Sequence, residues 1–217
     1  MDKCLSIITN FGCHGLCPYC IVRENGINVP KTTLEGLDKL GDILDSGDYN
    51  IVSVSGGGDP LHEYEKHKDW YAKLFTILDN RNIPLEMHTS YVTSSFPYGK
   101  CKRVVYHLRK DNAREIYKIR KQESEIVRCV FVATEDLSAE YIMEIALAKC
   151  MQEIVFKQID ELSFRQMVDD NYVAQDYNTK LLEWGHKKGF WHYIKQNDYN
   201  DYYVEGKIYK KFSEIHA

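Results

Sequence analysis

Three cysteines, Cys13, Cys17 and Cys20, fall within eight residues, and thiolates set this closely can carry three kinds of chemistry. The tetrapeptide Cys17-Pro18-Tyr19-Cys20 has the form of a thiol–disulfide exchange pair, whose first thiol ionises readily ahead of a helix. That reading leaves Cys13 idle, and Ile21 to Gly26 breaks off before a long helix can form. A structural zinc site needs a fourth ligand. His14 adjoins Cys13 and is badly placed to share a tetrahedron with it, and the chain has no second Cys-x₂-Cys pair. A cubane iron–sulfur cluster takes thiolates at its iron corners, so three cysteines would leave a fourth iron open to a small molecule. A second unusual stretch follows one predicted strand later: Gly56-Gly57-Gly58-Asp59-Pro60.

Both motifs need elements to position them. The pattern alternates short β-branched runs with helical periods. Strands are predicted at Leu5 to Thr9, Ile51 to Val54, Ile83 to Thr89, Val104 to Leu108, Ile126 to Ala133 and Glu153 to Gln158. Helices are predicted from the capping box at Thr32–Glu35 to Ser46, over Glu63 to Leu78, over Asn112 to Lys121, from Ser138 to Met151, and through Leu181 and Trp184. An aromatic stretch, Phe190 to Tyr209, reads as a hairpin turning near Asn197 to Asn200. Six strands alternating with helices predict a parallel α/β sheet with right-handed crossovers: a partial (β/α)₆ TIM-like barrel with a C-terminal helix and hairpin. One domain is expected over 1–217, with its core at about 4–160 and the helix and hairpin at about 161–217. Ligands gather at the carboxyl ends of such strands, so the cysteine loop and the glycine run land on one rim.

Bulk properties narrow the field. The 217 residues carry a net charge of −4, with 44% hydrophobic and 28% charged residues, which suits a globular chain and gives no reason to wrap a polyanion. The basic runs Lys100 to Arg103 and Lys207 to Lys211 read as solvated faces. No apolar stretch approaches the ~20 residues of a membrane span. Seven cysteines, three bunched and four scattered, are not a disulfide framework, and a reducing cytoplasm is expected.

Cys13-x₃-Cys17-x₂-Cys20 after strand one, with Tyr19 before the last cysteine, resembles the signature of radical S-adenosylmethionine (SAM) enzymes. Gly57-Gly58-Asp59-Pro60 after strand two resembles that superfamily's Gly-Gly-Glu-Pro motif, with Asp59 in place of the usual glutamate. The resemblance implies a [4Fe-4S] cluster on Cys13, Cys17 and Cys20. It also implies SAM held by Tyr19, Gly57, Gly58, Asp59 and Pro60, an electron donor such as flavodoxin or ferredoxin, and a 5′-deoxyadenosyl radical that abstracts hydrogen from a substrate. Strand ends offer further candidates: Thr89, Ser90 and Thr134 toward the cofactor, and Glu135, His107 and Lys157 toward a substrate. Arg109 could meet the cofactor's carboxylate, although a solvated arginine is the simpler reading. Tyr193 and Tyr203 of the tail could stack on a flat heterocycle, or simply close the barrel.

The length, compactness and aromatic tail also resemble queuine lyases, radical enzymes that free 7-aminomethyl-7-deazaguanine (preQ1) by carbon–nitrogen cleavage. This implies a 7-deazapurine substrate with Glu135 or Asp59 on its donor edge. The alternatives are a 7-carboxy-7-deazaguanine synthase-like enzyme, a glycyl-radical activating enzyme, and a non-catalytic iron–sulfur or zinc protein.

Overall fold

The computed structural model describes residues 3–15, 17–92, 95–121, 126–151, 157–169, 171–195 and 200–215. Nine strands form one sheet in the order β7-β6-β5-β4-β3-β2-β1-β8-β9. They are β1 (Cys4–Thr9), β2 (Ile51–Gly56), β3 (Leu85–Thr89), β4 (Arg103–Leu108), β5 (Ile126–Ala133), β6 (Glu161–Gln166), β7 (His192–Ile194), β8 (Asp201–Val204) and β9 (Lys207–Tyr209). Every pairing from β7 to β8 is parallel, and only β9 runs antiparallel, against β8. The carboxyl ends of β1 to β8 therefore share one rim.

Side chains alternate between the faces of a strand, and the two faces differ. Leu5, Ile7, Val52, Val54, Met87, Tyr106, Phe131 and Phe164 bury against helices α2 (Leu40–Ser46), α3 (Lys68–Asp79), α4 (Ala139–Cys150) and α5 (Thr179–Lys187). These helices supply Leu40, Leu44, Trp70, Tyr71, Leu74, Ile142, Ile145 and Leu182 to the same core. Ser138 caps α4, its side chain accepting from the Tyr141 amide at 3.3 Å. Among the described residues the opposite face carries no long helix. Its β1–β8 end is apolar, with Ile8, Tyr202 and Val204 under Ile27, Val29 and Ile215.

Several predicted elements differ. The sixth strand of the sheet is Glu161–Gln166, and the predicted strand Glu153 to Gln158 falls mostly outside the described residues. Its stretch EIVFKQ has almost the same charge and apolar spacing as ELSFRQ at Glu161–Gln166, and the second is the one registered on β5, with Arg128 opposite Glu161. Residues 152–156 lie outside the described residues. Lys157 and Gln158 precede β6, where the Gln158 side chain accepts from the Lys121 amide at 3.0 Å.

The tail is not one hairpin from Phe190 to Tyr209. Its predicted turn falls partly on 196–199, outside the described residues, and its two arms lie on opposite edges of the sheet. Trp191 ties β7 to α5 by donating from its indole N–H to the Leu182 carbonyl at 2.9 Å. Tyr202 and Tyr203 register on β1. The hairpin that does form is β8–β9, turned at Glu205 and Gly206, both at positive φ (45° and 81°). Thus residues 161–217 supply β6 to β9 of the common sheet.

Asn112 to Lys121 holds a 3₁₀ stretch, Ala113–Lys118, instead of an α-helix. Its buried residues Ile116 and Ile119 are three apart, the 3₁₀ repeat. The predicted first helix likewise begins as a 3₁₀ turn, Glu35–Leu37, and Thr33 Oγ1, just ahead of it, accepts from the Gly36 amide at 3.0 Å. This leaves Leu34 exposed.

Candidate functional site

The cysteine loop leaves β1 at Gly12, whose φ of +103° suits glycine and where a Cβ would stand 2.7 Å from the His62 ring. Cys13, Cys17 and Cys20 are all free thiols. The Gly15 amide donates to Cys13 Sγ at 3.3 Å, and an Arg109 guanidinium nitrogen donates to Cys17 Sγ at 3.3 Å. The Cys17 carbonyl accepts from the Cys20 amide at 3.2 Å and from Arg23 at 2.6 Å. These bonds close the loop into the one-turn helix α1 (Ile21–Glu24). A Cβ on Gly15 would lie 3.6 Å from both the Cys13 and the Cys17 sulfur, so the two thiols flank a residue with no side chain.

The glycine run docks directly on this loop. The Gly57 amide donates to the Thr9 carbonyl at 2.8 Å, and the Asp59 amide to the Gly12 carbonyl at 2.9 Å. A Cβ at Gly58 would stand 2.2 Å from the Gly12 oxygen, so only glycine permits the approach. Asp59 is buried and its carboxylate is fully engaged. Oδ1 accepts from the Leu61 amide at 3.0 Å and from Thr89 Oγ1 at 2.6 Å. Oδ2 accepts from the Ser90 amide and the Ser90 hydroxyl, each at 2.7 Å. The carbonyl of the buried Pro60 accepts from Tyr71 Oη at 2.6 Å. Thr89 Oγ1 also accepts from the Tyr91 amide at 2.9 Å, and Ser90 Oγ lies 3.4 Å from His14 Nε2. Asp59, Thr89 and Ser90 thus bind one another, clasping the β2 loop to the end of β3, where the sequence reading aimed them at a cofactor.

Arg109 is not a solvated arginine. Its side chain is 16% exposed, and Nε donates to Asp111 at 2.8 Å while another nitrogen reaches Cys17. Tyr19 sits beside this pair: burial pushes its phenol pKa up, Cys17 adds to the rise, and Arg109 opposes it. Thr134 spends its hydroxyl on Asp136 at 2.5 Å, and Glu135 is exposed on the turn after β5. Lys157, ahead of β6, lies at the end of the sheet opposite the rim. Tyr193 and Tyr203 are buried in the helix-side core, where Tyr203 donates its hydroxyl to the Gly36 carbonyl. Of the proposed substrate residues, only His107 is on the helix-free face.

That face holds a polar cluster that motif reading passed over. Arg103 pairs with Glu86 and lies 3.3 Å from Glu161, while Arg128 donates to Glu161 at 2.6 Å. One step nearer the rim, His88 Nε2 is 3.8 Å from Glu86 and His88 Nδ1 is 3.2 Å from His107 Nε2. Burial pulls both imidazoles below their ordinary pKa range. Arg165 pulls both further, His88 adds to the drop at His107, and Glu86 opposes it at His88. The signal was present as polar or ionisable residues at even spacings along the strands: Glu86 and His88; Arg103, His107 and Arg109; Glu161, Ser163 and Arg165. A cavity of about 720 Å³ bounded by Phe75, Leu85 and Cys101 opens at the amino ends of β3 and β4, away from both motifs.

The three cysteines suit a thiolate-ligated cluster. Two of their sulfurs already accept N–H donors from outside the ligand set, the outer-shell pattern that tunes iron–sulfur centres. Among the described residues no three His, Cys, Asp or Glu side chains converge as a mononuclear site requires, whereas a cubane takes each thiolate at a separate iron.

No protein-family profile and no curated protein matches the sequence. Among solved structures, the fold is similar to that of Streptococcus suis SuiB, crystallised with its precursor peptide SuiA. The TM-score is 0.60 at 13% identity, over 91% of this chain and 49% of SuiB. The chain thus spans about half the length of that neighbour, and the likeness is one of fold.

Proposed function

We propose that the chain is a radical SAM enzyme, with a [4Fe-4S] cluster on Cys13, Cys17 and Cys20 and SAM seated against the Gly57–Gly58 run. One observation carries this reading: the two motifs lock together through Asp59 N–H to Gly12 O at 2.9 Å and Gly57 N–H to Thr9 O at 2.8 Å. The fold neighbour SuiB is itself a radical SAM enzyme, which supports the same reading. When bound, the two groups supply a carbon-centred radical that abstracts hydrogen from a substrate. The residues of this chain bind, orient and exclude water. Arg109 holds Cys17 through an N–H···S bond, Asp59 fixes the glycine loop against β3, and the backbone of that loop is left to meet the cofactor.

The finer fold reading is a partial barrel in one domain. Seven strand spacings separate β7 from β8 in the sheet order, roughly 34 Å if the sheet were flat. The chain joins Ile194 to Asp201 through seven peptide units, which reach about 25 Å at most. Curling the sheet removes the conflict and makes its helix-free face the inside of a barrel, below the cysteine rim. A substrate would sit there, and an electron donor such as flavodoxin or ferredoxin would dock outside the cysteine loop.

Queuine stands as a substrate to test. The carboxylates first assigned to its base are elsewhere, since Glu135 is exposed and Asp59 is saturated. A deazaguanine edge would have to draw Glu86 or Glu161 from their arginines. SuiB was crystallised with a precursor peptide, so a peptide is the competing substrate class.

Anaerobic reconstitution tests the proposal. The expected result is a visible charge-transfer band and 5′-deoxyadenosine on adding a reductant. A fully loaded cluster that never cleaves SAM would overturn the enzyme reading. Adding queuine and following preQ1 by mass spectrometry tests the lyase, and absence of preQ1 alongside cofactor cleavage removes it.

A further inference from the structure

We infer that Glu86, His88 and His107 form a relay that presents a bare imidazole nitrogen, His107 Nδ1, to the basin beneath the cysteine rim, where it takes the proton of a hydroxyl or N–H group on a small molecule. The assignment deepens the function proposed above and rests on it only in calling that molecule a substrate.

The carboxylate comes first. Glu86 is buried, and its Oε1 is taken by Arg103. Burial opposes its charge, but His88 and Arg103 outweigh burial and hold the carboxyl below its ordinary pKa. An ionised carboxylate offers only lone pairs, and Oε2 lies 3.8 Å from His88 Nε2. A lone pair on that nitrogen would be repelled, so His88 carries its proton on Nε2.

The tautomer of His88 then fixes that of His107. A neutral imidazole has one N–H, which leaves His88 Nδ1 bare. It lies 3.2 Å from His107 Nε2, so His107 Nε2 is the donor and His107 Nδ1 keeps its lone pair. Burial holds both rings below their ordinary pKa range, so this arrangement persists at neutral pH. Among the described residues Nδ1 has no hydrogen-bond partner. His107 stays partly exposed on the helix-free face, and its neighbour in register on β5, Val130, has no polar side-chain atom to offer it.

Radical chemistry leaves room for such a base. Abstraction of a hydrogen atom moves no proton, so ionising the substrate falls to the protein. The O–H or N–H bond breaks with its electron pair left on the substrate, and the proton forms the Nδ1–H bond. No electron is exchanged in this step. The imidazolium so formed is stabilised through His88 by the Glu86 carboxylate, as an orienting carboxylate stabilises a histidine base. His107 is the group that meets the substrate, and Glu86 and His88 are positioning residues.

The test uses the cluster-loaded protein with ¹⁵N-labelled histidines, whose ring nitrogens report by NMR which of them carries hydrogen. Both rings are expected as the Nε2–H tautomer. Titration with para-cyanophenol should shift His107 Nδ1 saturably toward its protonated position, and the methyl ether of that phenol should not. Glu86→Gln should return His88 to a mixture of tautomers and weaken the phenol by about tenfold. The wild-type tautomers need no variant, so a misfolded Glu86→Gln leaves the test intact. An Nδ1–H tautomer at His107, an equal response to the ether, no saturable movement of Nδ1 with the phenol, or an unchanged phenol affinity in folded Glu86→Gln overturns the relay. Failure of the wild type to make 5′-deoxyadenosine would instead overturn the enzyme reading and leave the histidine measurements standing.

Discussion

Arg109 and Cys17 lie 92 positions apart in sequence, yet a guanidinium nitrogen of Arg109 meets the Cys17 sulfur at 3.3 Å. The arginine is held for this by its own ion pair with Asp111, and the end of β4 brings both residues of that pair over the cysteine loop. A cationic N–H donor stabilises a thiolate, and stabilises a reduced cluster more than an oxidised one, because the reduced form carries more negative charge.

Replacing Arg109 with Gln should therefore lower the cluster's midpoint potential while leaving its iron content near that of the wild type. A difference of about 1 kcal/mol in favour of the reduced state corresponds to about 40 mV for one electron. A redox titration followed by electron paramagnetic resonance reads this directly. An unchanged potential would remove the tuning role from Arg109.

Gly58 tests the junction of the two motifs. An alanine there would place Cβ 2.2 Å from the Gly12 oxygen, and the neighbour is backbone that cannot rotate aside. Gly58→Ala should push the glycine run off the cysteine loop and cut cluster incorporation several-fold. Iron and sulfide assays on reconstituted protein measure this, with far-ultraviolet circular dichroism expected to stay near wild type.

Asp59 should matter mainly for stability. Asp59→Ala strands four donors, two of them on Ser90, and should cost about 3 kcal/mol. Thr89→Ala removes one of the four bonds to Asp59 and should cost about 1 kcal/mol. Denaturant unfolding of the cluster-free protein gives both numbers. A near-neutral Asp59→Ala would mean that the clasp does not hold the rim together.

The buried histidines predict a pH dependence. His88 and His107 are held below their unfolded pKa of about 6.5, chiefly by burial, with Arg165 and Arg128 lowering and Glu86 raising the value at His88. Depressed imidazoles are neutral in the folded state, so below about pH 6.5 the unfolded chain binds more protons. The stability they preserve is present above that pH and is lost as the pH falls through the folded values, by about 1 kcal/mol per pH unit for each group. Melting temperatures from pH 7.5 to 5.5 should fall less in His107→Asn than in the wild type. Parallel curves would place the acid sensitivity elsewhere.

Much of this was legible along the chain. The cysteine spacing and the glycine run each declare themselves locally, because a loop's thiols and a tight backbone approach both depend on nearest neighbours. The strands β1 to β5 were equally plain, because their β-branched runs have few competitors. Strand six was not, because EIVFKQ and ELSFRQ satisfy one pattern equally and only pairing with β5 separates them. The tail misled for a related reason: aromatic residues in sequence suggest partners for one another, whereas Tyr203 finds β1 and Trp191 finds α5.

Side-chain roles divided in the same way. Sequence alone determined which residue types stand at each strand end, since the period of a strand and the turn that follows it are local properties. Only the tertiary structure decided that Asp59 is spent on Thr89 and Ser90, that Arg109 reaches Cys17, and that charges on β3 to β6 gather on one face. Each of those facts is a distance between strands, and the order of strands in a sheet is set by burial of the whole helix-side core, which no single segment encodes.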